Sequence, residues 1–176
     1  MAKIEKKSEK ILVLLLVALV AALIGLFFFF MLNPPTGAPS KGSIRVYFIK
    51  QDKLFPVERK VVVGRTKEDS ALKALVAGPS KEEAAKGIFS HVPPATKVKA
   101  VSVEDGIAFV NFSEELNQYG GGAEKVRSMI AQVVYTLTDL PKVKKARILV
   151  EGKSEVVLGG EGYVIDKPLT RRDVKL

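Results

Sequence analysis

Apolar residues are laid out along this chain in two different ways. Residues 11–32 form an unbroken apolar run of 22 positions with no charged residue, whereas from residue 43 onward apolar and polar positions alternate or recur at helical spacing. A helix rising about 1.5 Å per residue would extend roughly 33 Å over that run, enough for a hydrocarbon core of about 30 Å. The pattern therefore predicts one transmembrane helix at 11–32. Lys3, Lys6, Lys7 and Lys10 precede it, against Lys41 and Arg45 beyond it, which predicts a cytoplasmic tail at 1–10 and a single-pass protein whose remainder lies outside the membrane. A removed export signal and a buried globular helix are the alternatives. Signal peptides usually have an apolar core of only about 7–15 residues, and cleavage after Ala38 would leave Pro39 beside the cut.

Residues 33–42 hold three prolines and two glycines and read as a semi-extended linker. The folded part is then 43–176. Residues 43–50 alternate as a strand, with Ile44, Val46 and Phe48 on one face, and Gln51, Asp52 and Lys53 turn the chain. Pro56 breaks residues 54–57, so the second strand is expected at 58–63. Thr66 with Asp69 resembles a capping box and opens a helix whose apolar face is Ala71, Leu72, Leu75 and Val76, stopped by Gly78 and Pro79. Ser80 with Glu83 repeats the start signal for a short helix ending at Gly87. Residues 98–103 and 107–112 form the clearest hairpin, turned by Glu104, Asp105 and Gly106. Residues 123–140 carry Val126, Ile130, Val133, Val134, Leu137 and Leu140 on one helical stripe, followed by Pro141. A core strand is expected at 146–150, a turn at Glu151, Gly152 and Lys153, and a short returning partner at 155–158. Residues 159–176 are polar and Gly-rich with little periodicity. Strands interrupted by two solid helices imply an α+β fold: a two-layer sandwich of a mixed β-sheet with two main helices on one face.

Charge narrows the possible partners. The first ten residues hold four Lys and two Glu, a net of +2, and the remainder holds 24 Lys plus Arg against 17 Asp plus Glu, a net of +7. A basic domain outside the cell could meet an anionic wall polymer, lipid head groups or an acidic partner, so a module that binds a cell-wall polymer or small ligand is one alternative function, while nucleic acid is not expected there. The cations are spread along the chain among acids, which also suits a merely solvated surface. The absence of Cys removes disulfides and a lipid-linked cysteine.

Residues that could carry chemistry are sparse. His91 is the one histidine and follows Ser90 in a loop before Val92, Pro93 and Pro94. Nucleophilic catalysis needs a base beside its nucleophile, and neighbours in sequence seldom point at each other. Glu82–Glu83 and Glu114–Glu115 are paired carboxylates, but the first pair suits a helix N-terminus. Gly120, Gly121 and Gly122 could bare N–H groups to an anion, yet they lack the lysine and hydroxyl of a phosphate loop. The aromatics Tyr47, Phe48, Phe55, Phe89, Phe109, Phe112, Tyr119, Tyr135 and Tyr163 fit strand and core positions. No catalytic, metal or cofactor site is expected, and the binding residues are left open. An enzyme acting on wall glycan or peptide is the least supported class.

Several segments together resemble a known family. Ile44-Arg45-Val46-Tyr47-Phe48, Glu58-Arg59-Lys60-Val61, and Ala71-Leu72-Lys73-Ala74-Leu75-Val76-Ala77-Gly78-Pro79 resemble the opening of the GerM (GerMN) domain of sporulation and spore germination proteins. Val92-Pro93-Pro94-Ala95-Thr96-Lys97-Val98 is similar to its proline-bearing segment. Asp105-Gly106-Ile107-Ala108-Phe109-Val110-Asn111-Phe112-Ser113 is similar to its central hairpin, with Asn111 in place of the commoner acid. The order is completed by Gln132-Val133-Val134-Tyr135-Thr136-Leu137-Thr138, by 143–152, and by Pro168-Leu169-Thr170-Arg171. The resemblance implies a non-enzymatic extracytoplasmic module of Gram-positive spore formers, similar in fold to the ring-building motifs of secretion machines. It further implies a scaffold or assembly role in sporulation or germination. The implied partners are the cytoplasmic membrane, other envelope or sporulation-complex proteins, and further copies of the chain. It carries over no site residues.

Overall fold

The computed structural model describes residues 15–26, 42–118, 122–158 and 162–176. The chain divides into two compact units, Met1–Ala38 and Pro39–Leu176. In the first, residues 15–26 are helical (α1), and all of them are exposed. A helix of that length rises about 18 Å, well short of the roughly 30 Å of a hydrocarbon core. No helix among the described residues is long and apolar enough to cross a membrane. This corrects the transmembrane helix expected at 11–32. The flanks of that run, the tail at 1–10 and most of the linker lie outside the described residues.

The second unit has the α+β composition the pattern implies. Strands β1 (Ser43–Lys50) and β2 (Lys53–Lys60) form an antiparallel hairpin, followed by helices α2 (Lys67–Ala77) and α3 (Lys81–Ala85). Strands β3 (Val98–Glu104) and β4 (Ile107–Phe112) make a second hairpin, and a short 3₁₀ turn at Glu114–Asn117 leads toward helix α4 (Ala123–Thr138). Strand β5 (Lys145–Val150) then lies parallel to β4, giving a mixed sheet in the order β3-β4-β5. Strands β6 (Val156–Leu158) and β7 (Tyr163–Ile165) close as an antiparallel pair. Helices α2 and α4 both pack on β1, while α2 also meets β3 and α4 meets β5.

Local chemistry fixes the ends of these elements. Gln51 and Asp52 have φ of 50° and 57°, and Asp105 and Gly106 have 48° and 78°. Two consecutive left-handed residues make the tight turn whose twist matches the strands it joins. Thr66 caps α2 by accepting from the Asp69 N–H, and Gly78 at φ 79° ends it. Ser80 and Glu83 form a complete reciprocal capping box on α3. The α4 stripe is buried as its spacing predicts: Val126, Ile130, Val133, Val134, Leu137 and Leu140 all lie in the core. They meet Val46 and Phe48 of β1, Leu72 and Leu75 of α2, and Val110, Phe112 and Ile148 of the mixed sheet in one cluster.

Three features differ from the sequence reading. The strands fall into three separate ladders where one mixed sheet was expected. The reason lies in α4: the Tyr47 N–H donates to Thr136 Oγ1 at 3.0 Å, and Gln132 Nε2 donates to the Tyr47 carbonyl at 3.2 Å. Ile49 exchanges both backbone hydrogen bonds with Phe89. Side chains and a loop therefore satisfy the outer edge of β1, where a neighbouring strand would otherwise pair. The same bonds explain why Pro56 is part of β2 and does not end it. Tyr47, its cross-strand partner, directs both backbone groups away from β2, so Pro56 sits where its missing N–H costs the ladder nothing. Finally, the strand expected to return onto β5 pairs with β7 instead. The tail expected to lack periodicity is built into the fold, with Leu169 and Val174 buried and Leu169 bridged to Ala146.

Candidate functional site

The C-terminal end of α4 gathers several charged and polar side chains around one acid, Asp139. Asp139 follows the last helical turn, where unpaired carbonyls attract cations. Its side chain is only 5% exposed. Arg45, from β1, donates through Nε to Oδ2 at 2.7 Å and through Nη2 to Oδ1 at 3.0 Å. The Tyr47 hydroxyl and Arg171 Nη2 each donate to Oδ1 at 3.0 Å. Burial opposes ionisation of this carboxyl, but the hydrogen bonds from Arg45, Arg171 and Tyr47 outweigh it and hold its pKa below the ordinary value. Burial, then the Asp139 charge, pushes the Tyr47 phenol up. Arg171 also donates to Thr138 Oγ1 at 2.8 Å, and its guanidinium lies 4.8 Å from the Tyr135 ring centre. Residues far apart in sequence are thus tied to one acid.

Directly outside this cluster lies an open groove of about 770 Å³. One wall is Val143, Lys144 and Lys145, on the way from α4 into β5. The other is the C-terminal segment from Lys167 to Asp173, with Thr138 between them. The N–H groups of Lys144 and Lys145 both donate to the Gly106 carbonyl, at 2.8 and 3.2 Å, which seats the first wall on the β3–β4 turn. Gly106 is required there. Its φ is +78°, and a Cβ would come within 3.3 Å of the Lys142 carbonyl. The second wall is pinned by the paired bonds between Ala146 and Leu169, at 2.9 and 2.8 Å, and by Asp173 accepting from both the Thr170 N–H and its hydroxyl. Among the described residues, five cationic side chains and one acid line the groove, a net of +4.

The residues weighed for chemistry in the sequence lie elsewhere. His91 borders a different cavity of about 430 Å³ with Asp52, Glu124, Lys125 and Arg127. Its backbone N–H donates to Gln132 Oε1, its Nδ1 is buried without a partner, and burial followed by the Lys125 charge lowers its pKa. Ser90 Oγ accepts from Gln132 Nε2 and from the Val92 N–H, so this hydroxyl ties the loop to α4. Glu83 caps α3 and receives a bidentate contact from Arg59, at 2.7 and 2.6 Å. Glu114 accepts from Asn117, while the Ser113 hydroxyl leads the interactions that lower the Glu115 pKa. Gly122 is the N-cap of α4 with an ordinary φ of −72°, and Gly120 and Gly121 lie outside the described residues. No group of three or more His, Cys, Asp or Glu among the described residues could hold a metal ion. The groove cations were not singled out in the sequence, because Lys144 and Lys145 stand more than twenty residues before Lys167, Arg171 and Arg172.

A family model described as sporulation and spore germination (Germane) matches residues 45–156. Over 109 residues the chain is 32% identical to the spore germination protein GerM of Bacillus subtilis (strain 168), which covers 58% of this chain and 28% of that protein. The chain thus spans less than a third of this relative's length. The tandem GerMN domains of the B. subtilis sporulation protein GerM superpose with a TM-score of 0.59 at 25% identity, covering 73% of this chain and 45% of that one. The first GerMN domain of the same protein gives a TM-score of 0.63 at 22% identity, covering 76% of this chain and 100% of the domain, a likeness of fold.

Proposed function

Since this chain belongs to the Germane family of sporulation and spore germination proteins, we propose that it is a non-enzymatic scaffold or assembly factor in a sporulation or germination complex of the cell envelope. The family match over residues 45–156 carries this reading, because it runs from within β1 to the start of β6 and takes in the whole helical layer. The spore germination role printed for the B. subtilis relative supports it, although only part of that protein is shared. The non-enzymatic part is supported by the positions of the chemically capable side chains. Ser90, Glu83 and Glu114 each hold a loop, a cap or a turn, and none is directed at a shared point.

An envelope location is part of the same proposal. Large apolar side chains from Leu15 to Leu26 are all exposed on α1, which favours contact with an apolar phase such as a membrane. The partners in this reading are other envelope or sporulation proteins, or further copies of the chain. Deleting the gene in a spore-forming host should lower the yield of heat-resistant spores or delay germination, with restoration by the intact gene. Normal sporulation and germination in the deletion strain would overturn the proposal.

A further inference from the structure

Among the described residues, the groove beside α4 gathers five cationic side chains against one acid. Arg171 is directed inward and held by Asp139, Thr138 and the Tyr135 ring. Lys144, Lys145, Lys167 and Arg172 are exposed. None of these four enters an ion pair among the described residues, where Arg45, Arg59, Arg65, Lys73, Lys99 and Arg171 all do. The one acid in the lining, Asp173, is turned back onto the Thr170 N–H and hydroxyl. Holding four like charges along one groove is unfavourable in the free protein, and an anion that lies between the walls relieves it.

We propose that this groove binds a phosphodiester-linked polyanion. Three observations select that ligand class. The cations come from two segments that fixed backbone contacts seat side by side, at Gly106 and at the Ala146–Leu169 pair, so both sides of one open groove carry positive charge. An open groove seats a chain, whereas small ligands are usually enclosed. The hydroxyls of Thr138 and Thr170 are already engaged with Val134 and Asp173 and are not free to read a sugar, which leaves charge as the recognised property. Lysine and arginine both recognise phosphate oxygens strongly. The lining also speaks against two other polyanionic surfaces. Among the described residues it contains no aromatic ring on which nucleic-acid bases could stack. None of the exposed large apolar side chains of this unit (Val62, Val63, Phe89, Val103, Val157, Val164 and Leu176) lines it, as insertion into a bilayer would require. This inference does not depend on the sporulation role.

The test is a binding titration of the full-length chain against poly(glycerol phosphate), with oligothymidylate and phosphatidylglycerol vesicles in parallel arms. The polymer should bind at low ionic strength and weaken roughly tenfold as salt rises toward physiological strength and above. Replacing Lys144, Lys145, Lys167 and Arg172 together by Gln should reduce affinity on the order of thirtyfold, each exposed pair carrying roughly a two- to threefold effect. A matched variant with Lys53, Lys60, Lys81 and Lys86 changed to Gln removes the same charge elsewhere and should stay within about twofold of wild type. The single variant Lys167→Glu provides the same comparison with less perturbation. Equal losses in the groove and matched variants would overturn the proposal, as would no binding at low salt. Oligothymidylate binding as tightly as the polymer would also overturn it, as would vesicle binding that the groove variant weakens as much as it weakens polymer binding.

Discussion

The acid cluster at Asp139 and the groove outside it share the end of α4 and the same C-terminal segment, yet they handle positive charge in opposite ways. In the cluster, two arginines and a tyrosine converge on one buried carboxylate, and every donor has a fixed acceptor. In the groove, the neighbours of those residues carry their charge into solvent, and the only acid among the described lining residues is occupied by Thr170. The difference is visible within two consecutive residues: Arg171 is bound to the helix end, and Arg172 is exposed. Charge that joins β1, α4 and the C-terminal segment is structural, and charge left on their outer side is available for a partner. A cation's neighbours in space separate these two roles, and its place in the sequence does not.

The sharpest way to break the comparison is to release the segment that both regions share. Leu169→Ala should cost about 2–4 kcal/mol in urea unfolding, because Leu169 is buried and its removal leaves a cavity against β5. The same change should weaken polyanion binding, since one wall of the groove loses its anchor. Asp139→Ala should cost about 2–3 kcal/mol, less than the roughly 3–5 kcal/mol of a fully buried pair because the Arg171 side chain is 39% exposed.

Acid titration probes the same carboxylate without mutation. Its folded pKa lies below the ordinary value of 3.8, so the stability it contributes is complete above that pH and is lost as pH falls from there through the folded value. Thermal unfolding followed below pH 4 should show a steeper acid loss in the wild type than in Asp139→Asn.

Gly106→Ala acts on the other wall. With φ at +78° and the Lys142 carbonyl 3.3 Å from the new Cβ, it should cost about 1–2 kcal/mol and displace Lys144 and Lys145. The smallest effect is expected for the fourfold groove variant. Its stability should stay within about 0.5 kcal/mol of wild type, or rise slightly as like charges are removed. A large loss there would mean that the groove cations hold the fold, and the distinction between the two regions would collapse.

How much of this was legible in the sequence depended on whether the cause was local. Helix caps at Thr66 and Ser80, the turn at Asp105 and Gly106, and the α4 stripe are set by neighbours within a few residues, and each is found where the pattern put it. The separation of the β1 hairpin was not readable. It depends on Gln132 and Thr136, polar residues on the buried side of α4 whose partners on β1 lie more than eighty residues away in sequence. The pairing of β6 with β7 was hidden for a similar reason, because strands of three residues are too short to establish an alternation. The apolar run at 11–32 was over-read: run length alone suggested a membrane span that the described helix at 15–26 does not reach. The groove was invisible because its cations arrive from two segments and look, in one dimension, like an evenly charged surface.

One measurement addresses the division between structural and recognising charge directly: backbone amide shifts of the full-length chain, followed by NMR during addition of poly(glycerol phosphate). The account predicts saturable shifts concentrated at residues 143–145 and 167–172, while the amides of Arg45 and Tyr47 on the far side of the cluster stay in place. Shifts spread evenly over exposed lysines such as Lys53, Lys81 and Lys86, or centred on β1 and β2, would contradict it.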